Sequence, residues 1–88
     1  MRLDLALKYL CLVKTRSSLR VLFDKQAIRV NDRAAKPAST LHEGDLVTLD
    51  FGRRRLVLRM LEVPERQKSK SAAPRMYEVV EDLEVVDY

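Results

Sequence analysis

The chain has 88 residues, 47% apolar and 34% charged, with a formal net charge of +4. That length makes one domain with a single modest core, and the composition is that of a folded chain rather than a disordered one. All 17 Lys and Arg sit in residues 1–75 beside eight of the 13 acids, a local balance of +9, whereas residues 76–88 carry five acids and no base, a balance of −5; such a basic body points to a polyanionic partner.

Several classes fall away at once. No apolar run approaches the roughly 18 residues of a membrane span, so no membrane partner is expected. Asp4 follows Arg2 closely and no small-residue cleavage site follows, so a signal peptide is not expected either. The single cysteine, Cys11, leaves no internal disulfide and fits a reducing, cytoplasmic setting.

In "RLDLALKYLCLV", Leu3, Ala6, Leu7 and Leu10 recur at the helical period, and Leu5, Tyr9 and Leu12 widen the apolar arc. This predicts a first helix buried on more than one side. A second helix is predicted from about Ser17 to about Gln26, capped by Ser17 or Thr15, with Leu19, Leu22, Phe23 and Ala27 facing inward and Arg20 paired with Asp24 outside. The period then changes. Ile28 and Val30 flank an outward Arg29 as a short strand, Asn31-Asp32 makes a tight turn, and "RAAKP" returns. "LVTLDF" and "RRRLVLRMLEV", on either side of Gly52, read as a hairpin. "PERQKSKSAAP" reads as a flexible polar loop, and "MYEVVEDLEVV" as a last strand with a frayed acidic end. The expected class is α+β: two or three N-terminal helices packed on a small, mostly antiparallel sheet. Residues 1–63 form its body, 64–75 a basic loop and 76–88 the last strand and tail.

Nothing in the pattern predicts an enzyme. His42 and Cys11 lie on unrelated elements and make a poor catalytic pair, and Cys11 reads as a buried, inert thiol. No Cys/His group has metal-ligand spacing and no glycine-rich phosphate loop exists, so neither a metal nor a cofactor is expected.

Cations are better placed. Arg16 and Arg20 lie one turn apart near the start of the second helix, where free amides and the helix dipole favour phosphate, and Ser17 adds a hydroxyl. Arg2 and Lys14 bracket the first helix, and Arg29 projects from the strand that follows. These residues come from separate segments that can meet on one surface; the competing reading is that they only solubilise a helical face. The triplet Arg53-Arg54-Arg55, at a hairpin tip, either extends the footprint or guards an edge strand. With few aromatics and no visible stacking platform, recognition of a folded RNA through backbone and shape fits better than single-strand binding.

The ordered set "RLD", "KTRS", "IRVND", "AKP" and "EGD" over residues 1–52 resembles the RNA-binding domain named after small-subunit ribosomal protein four, the alpha-L motif, and in particular its small stand-alone heat-shock and ribosome-quality-control members. The resemblance implies binding to ribosomal RNA of the large subunit and to stalled peptidyl-tRNA, with direct tRNA contact left open and a monomer expected. By position it assigns RNA contact to Arg2, Lys14, Arg16, Ser17 and Arg20, and adds Asn31 and Lys36. Cys11, Thr15, Ala27 and Asp32 depart from the family pattern. Two other classes remain: an adaptor that binds a protein through its sheet edge or acidic tail, and an accessory domain of an RNA-modifying enzyme.

Overall fold

The structure, a computed structural model, describes residues 1–84. Two helices, α1 (Leu3–Tyr9) and α2 (Arg16–Asp24), precede five strands: β1 (Ile28–Val30), β2 (Arg33–Ala34), β3 (Leu46–Asp50), β4 (Arg54–Met60) and β5 (Tyr77–Glu84), with one turn of 3₁₀ helix at Ala73–Met76. The strands form one antiparallel sheet in the order β2-β1-β3-β4-β5. The architecture is the expected α+β, with two α-helices rather than three among the described residues.

Both helices end in the same way, and this sets their lengths. Cys11 takes φ 59° and Gln26 takes φ 54°. Just beyond each, the next amide reaches back five residues: Leu12 N–H donates to Leu7 O at 3.1 Å, and Ala27 N–H to Leu22 O at 2.9 Å. These are Schellman stops, which satisfy orphan carbonyls and bring an apolar residue back onto the helix. Neither uses glycine. The second helix therefore stops two residues before the predicted Gln26. Cys11, expected as a buried thiol, is exposed; the left-handed turn it occupies lies at the helix end, outside the core.

The spacing of Leu3, Ala6, Leu7 and Leu10 does what it predicts: all four are fully buried. Their partners come from one sheet face, where Ile28 pairs with Leu49 and Leu49 with Leu56, and Val30 pairs with Val47 and Val47 with Leu58. Leu22 from α2 closes the same cluster, and Leu19, Phe23 and Ala27 pack half-buried against it. Leu5 departs from the expectation. It is 38% exposed, because seven residues of helix present only one stripe to a sheet.

The β1–β2 turn is the tight one predicted. Asn31 and Asp32 both have positive φ (52° and 65°), the backbone whose twist matches paired strands. Asn31 does more than turn the chain. Its Nδ2 donates to Asp45 Oδ1 at 3.1 Å and its Oδ1 accepts from Leu46 N–H at 3.0 Å, so one carboxamide fastens the β1–β2 turn to the start of β3. Asn31→Ala removes both bonds and leaves a Cβ in left-handed backbone without local compensation. The expected loss is about 2 kcal/mol, a fall in melting temperature of about 10 °C, read by circular dichroism.

The segment 64–75 lies against α1. Lys68 N–H donates to Tyr9 O at 3.0 Å and Gln67 Nε2 approaches the same carbonyl at 3.4 Å. Pro64 and Ala73 are buried. β5 then pairs along β4 with a bulge opposite Val57/Leu58. The acidic end expected beyond it, residues 85–88, lies outside the described residues.

Candidate nucleic-acid interface

Helix α2 is built to present its first turn. Thr15 is the N-cap, its Oγ1 accepting from Ser18 N–H at 3.0 Å. The Arg16 and Ser17 amides have no intrahelical partner, as the first amides of any helix lack one. No acid occupies this turn, so nothing on the helix itself offsets the positive end of the dipole.

Beside this helix is a shallow recess of about 410 Å³, lined by Arg16, Leu19, Arg20 and Phe23 of α2, by Asp4 of α1, and by Ala35, Lys36 and Pro37. Three of the predicted cations, Arg16, Arg20 and Lys36, thus meet on one surface. Arg2 joins them through Asp4: its Nε and Nη2 donate to the two carboxylate oxygens at 3.2 Å each. The walls are fixed by backbone. Leu3 N–H donates to Ser39 O at 2.8 Å and Asp4 N–H to Pro37 O at 3.1 Å, so the free amides of α1 clamp the loop that carries Lys36.

The predicted Arg20–Asp24 pair does not form. Among the described residues, ion pairs join Arg2 to Asp4, Arg54 to Asp82 and Arg55 to Glu81, with His42 near Asp45. Lys14, Arg16, Arg20, Arg29 and Lys36 are in none of these, and all five are exposed. Their charge is uncommitted to any carboxylate of the described chain.

Lys14 and Arg29 are not part of that recess. They line a larger groove of about 850 Å³ on the other flank of α2, together with Arg55 of the hairpin triplet and with Lys25, which the sequence did not single out. The predicted cations are therefore divided between two neighbouring concavities that share one helix as their ridge. Ser17 sits exposed at the head of that ridge. The Asn31 side chain is occupied by Asp45 and the Leu46 amide, which leaves it in the turn rather than among the cations.

The arginine triplet finds a use the sequence did not reveal. Arg54 is held by Asp82 through two bonds of 2.8 and 2.7 Å, and Arg55 lies 3.9 Å from Glu81. The hydrogen bonds to Arg54, more than its charge alone, hold the Asp82 carboxyl below the usual carboxylate range, and the same contact raises the Arg54 guanidinium. The acidic strand thus pairs with two of the three arginines of its own hairpin.

No group of three or more His, Cys, Asp and Glu suited to a metal occurs among the described residues, and no helix there is long and apolar enough to cross a membrane.

No family model matches the chain. The trimeric structure of Vibrio cholerae Heat Shock Protein 15 shares its fold, with a TM-score of 0.82 over 91% of this chain and 81% of that one at 24% identity. The RQC P-site tRNA stabilizing factor of Streptococcus pneumoniae is 35% identical over 85 residues, covering 97% of this chain and 96% of its own. Those of Bacillus subtilis (32% over 82 residues, 93% and 94% covered) and Listeria monocytogenes (33% over 82 residues, 93% and 88%) agree. Identity sustained over nearly the full length of both partners, on a fold of two helices and five antiparallel strands, means that this chain belongs to the RQC P-site tRNA stabilizing factor family.

Proposed function

We propose that this chain is a non-catalytic RNA-binding protein of ribosome quality control. It associates with the large ribosomal subunit and with peptidyl-tRNA during stalled translation, in the cytoplasm, through an alpha-L type domain spanning residues 1–63. The observation that carries this reading is the meeting of Arg16, Arg20 and Lys36 at one recess, next to Arg2 and to the capped start of α2. Guanidinium groups one helical turn apart, beside free amides and without carboxylate partners of their own, suit consecutive phosphates of a sugar-phosphate chain. The names of the relatives support the tRNA and P-site part of the reading. Lys14, Arg29 and the Ser17 hydroxyl extend the grip across the ridge of α2.

A second reading has one observation in its favour. β5 is an edge strand on which Val79, Val80 and Leu83 are each about half exposed between Glu78, Glu81, Asp82 and Glu84. An open, part-apolar edge suits addition of a strand from a partner protein.

Sucrose-gradient profiling with and without stalled ribosomes, followed by crosslinking, tests both. The expected result is co-migration with large subunits carrying peptidyl-tRNA and crosslinks to RNA. A chain that stays at the top of the gradient in both conditions overturns the first reading. Crosslinks to protein alone favour the second.

A further inference from the structure

The groove on the Lys14–Arg29 flank of α2 has a feature that phosphate contact does not use. Phe51 lines it, 41% exposed and outside the core cluster. The turn that carries it is held firmly. Phe51 N–H donates to Arg54 O at 2.8 Å, Gly52 reverses the chain at φ 88°, and Gly52 N–H donates to Asp50 Oδ1 at 2.9 Å. Val21 of α2 lines the same groove and is 49% exposed. Two large apolar side chains thus face solvent in one concavity, an arrangement that marks a binding surface more often than an accident of composition.

The rim is cationic. Lys14, Lys25 and Arg29 line the groove, with Arg55 already beside Glu81, against one lining acid, Asp50. A volume of about 850 Å³ falls within the range of sites for small organic groups. The occupant that satisfies both features has a flat apolar face and negative charge attached to it. A bare phosphate leaves Phe51 and Val21 uncovered. An acidic peptide supplies charge but no planar face. A nucleotide whose base has left its stack supplies both: the base lies on the aromatic ring and the flanking phosphates meet the cations.

We propose that this groove binds an unstacked RNA base, seated on Phe51, with its neighbouring phosphates on Lys14, Lys25 and Arg29. The inference rests on the RNA-binding reading above and adds to it a second kind of contact, sequence-tolerant stacking. It departs from the expectation that the chain shows no stacking platform. In the sequence Phe51 only continues the alternation of Val47 and Leu49. In the fold β3 ends at Asp50, so Phe51 belongs to the turn and is left 41% exposed in the groove beside α2.

The test uses a fluorescently labelled decamer of oligoadenylate and the full chain, with affinity read by anisotropy at several salt concentrations. Phe51→Ala is expected to weaken binding about 5- to 100-fold with the salt dependence unchanged, because no phosphate contact is lost. Phe51→Trp, which keeps a π-face, restores it. Arg29→Ala weakens binding and lowers the salt slope by about one. Circular dichroism melts of each variant confirm that the fold is retained. The proposal is overturned if the wild-type chain does not bind the decamer, if Phe51→Ala binds it as wild type does, or if a decaglutamate peptide competes better than unlabelled RNA. Arg16→Ala, assayed on large ribosomal subunits, separates this from the underlying reading. If that variant loses subunit binding while Phe51→Ala has no effect on the decamer, the groove fails and the RNA-binding function stands. If Arg16→Ala leaves subunit binding intact, the recess beside α2 is not where RNA is held, and if the wild-type chain itself does not bind subunits, the RNA-binding reading fails.

Discussion

Replacing Arg16 and Arg20 together by alanine is expected to weaken binding to the large ribosomal subunit by two orders of magnitude or more. A hydrogen bond to a charged group contributes about 1.5–3 kcal/mol, or roughly 10- to 100-fold in affinity for each residue lost. Each phosphate left without its cation also removes close to one unit from the dependence of log affinity on log salt, so the double variant has a slope shallower by about two. The fold has no reason to change. Both side chains are exposed, and neither is in an ion pair with the described residues. Co-sedimentation over a series of salt concentrations, with a thermal melt as control, reads both quantities. Unaltered affinity and slope in the double variant would show that the recess beside α2 is not where RNA is held. A large loss with no change in slope would point to something other than phosphate.

Leu7→Ala is the substitution with the largest expected effect on stability. Leu7 is 1% exposed and belongs to the core cluster that α1 and the sheet build together. Truncating a fully buried leucine costs about 2–5 kcal/mol, the lost transfer energy plus the cavity left behind. For a domain with a total stability of roughly 5–15 kcal/mol that is a large fraction, and the melting temperature should fall by about 10–30 °C. The loss also reaches the binding surface. α1 clamps the loop carrying Lys36 through the Leu3 and Asp4 amides and holds Asp4 against Arg2, so loosening it separates the cations. Leu5→Ala on the same helix serves as the control. Leu5 is 38% exposed, and its truncation should cost about 1 kcal/mol, well below the loss at Leu7. Equal effects of the two, measured by urea unfolding, would contradict the orientation of the helix.

Much of this molecule was legible in its residues. The 3.6-residue spacing of Leu3, Ala6, Leu7 and Leu10 identified a helix and its buried stripe. The alternation around Arg29, and the Asn31-Asp32 pair, identified a strand and a turn, since both residues tolerate the left-handed backbone that closes so short a loop with the right twist. The residue pattern also pointed to a basic body and to Arg16 and Arg20 sharing a helix face. These are local properties, fixed by the period of the backbone and the steric limits of a few residues.

Other features were decided only when distant segments met. Asn31, matched by position to an RNA contact, has its carboxamide consumed by Asp45, fourteen positions away. Two of the three hairpin arginines, Arg54 and Arg55, are paired only because β5 brings Asp82 and Glu81 beside them. The division of the cations between two flanks of α2, and the exposure of Phe51, depend on where β3 stops and how the hairpin sits against the helix. Sequence alone therefore determined which residues are helical, extended, apolar or charged, because those follow from each residue and its near neighbours. The tertiary structure decided which charges are neutralised, which remain available and which apolar ring faces solvent, because burial and pairing are set by what another part of the chain brings alongside.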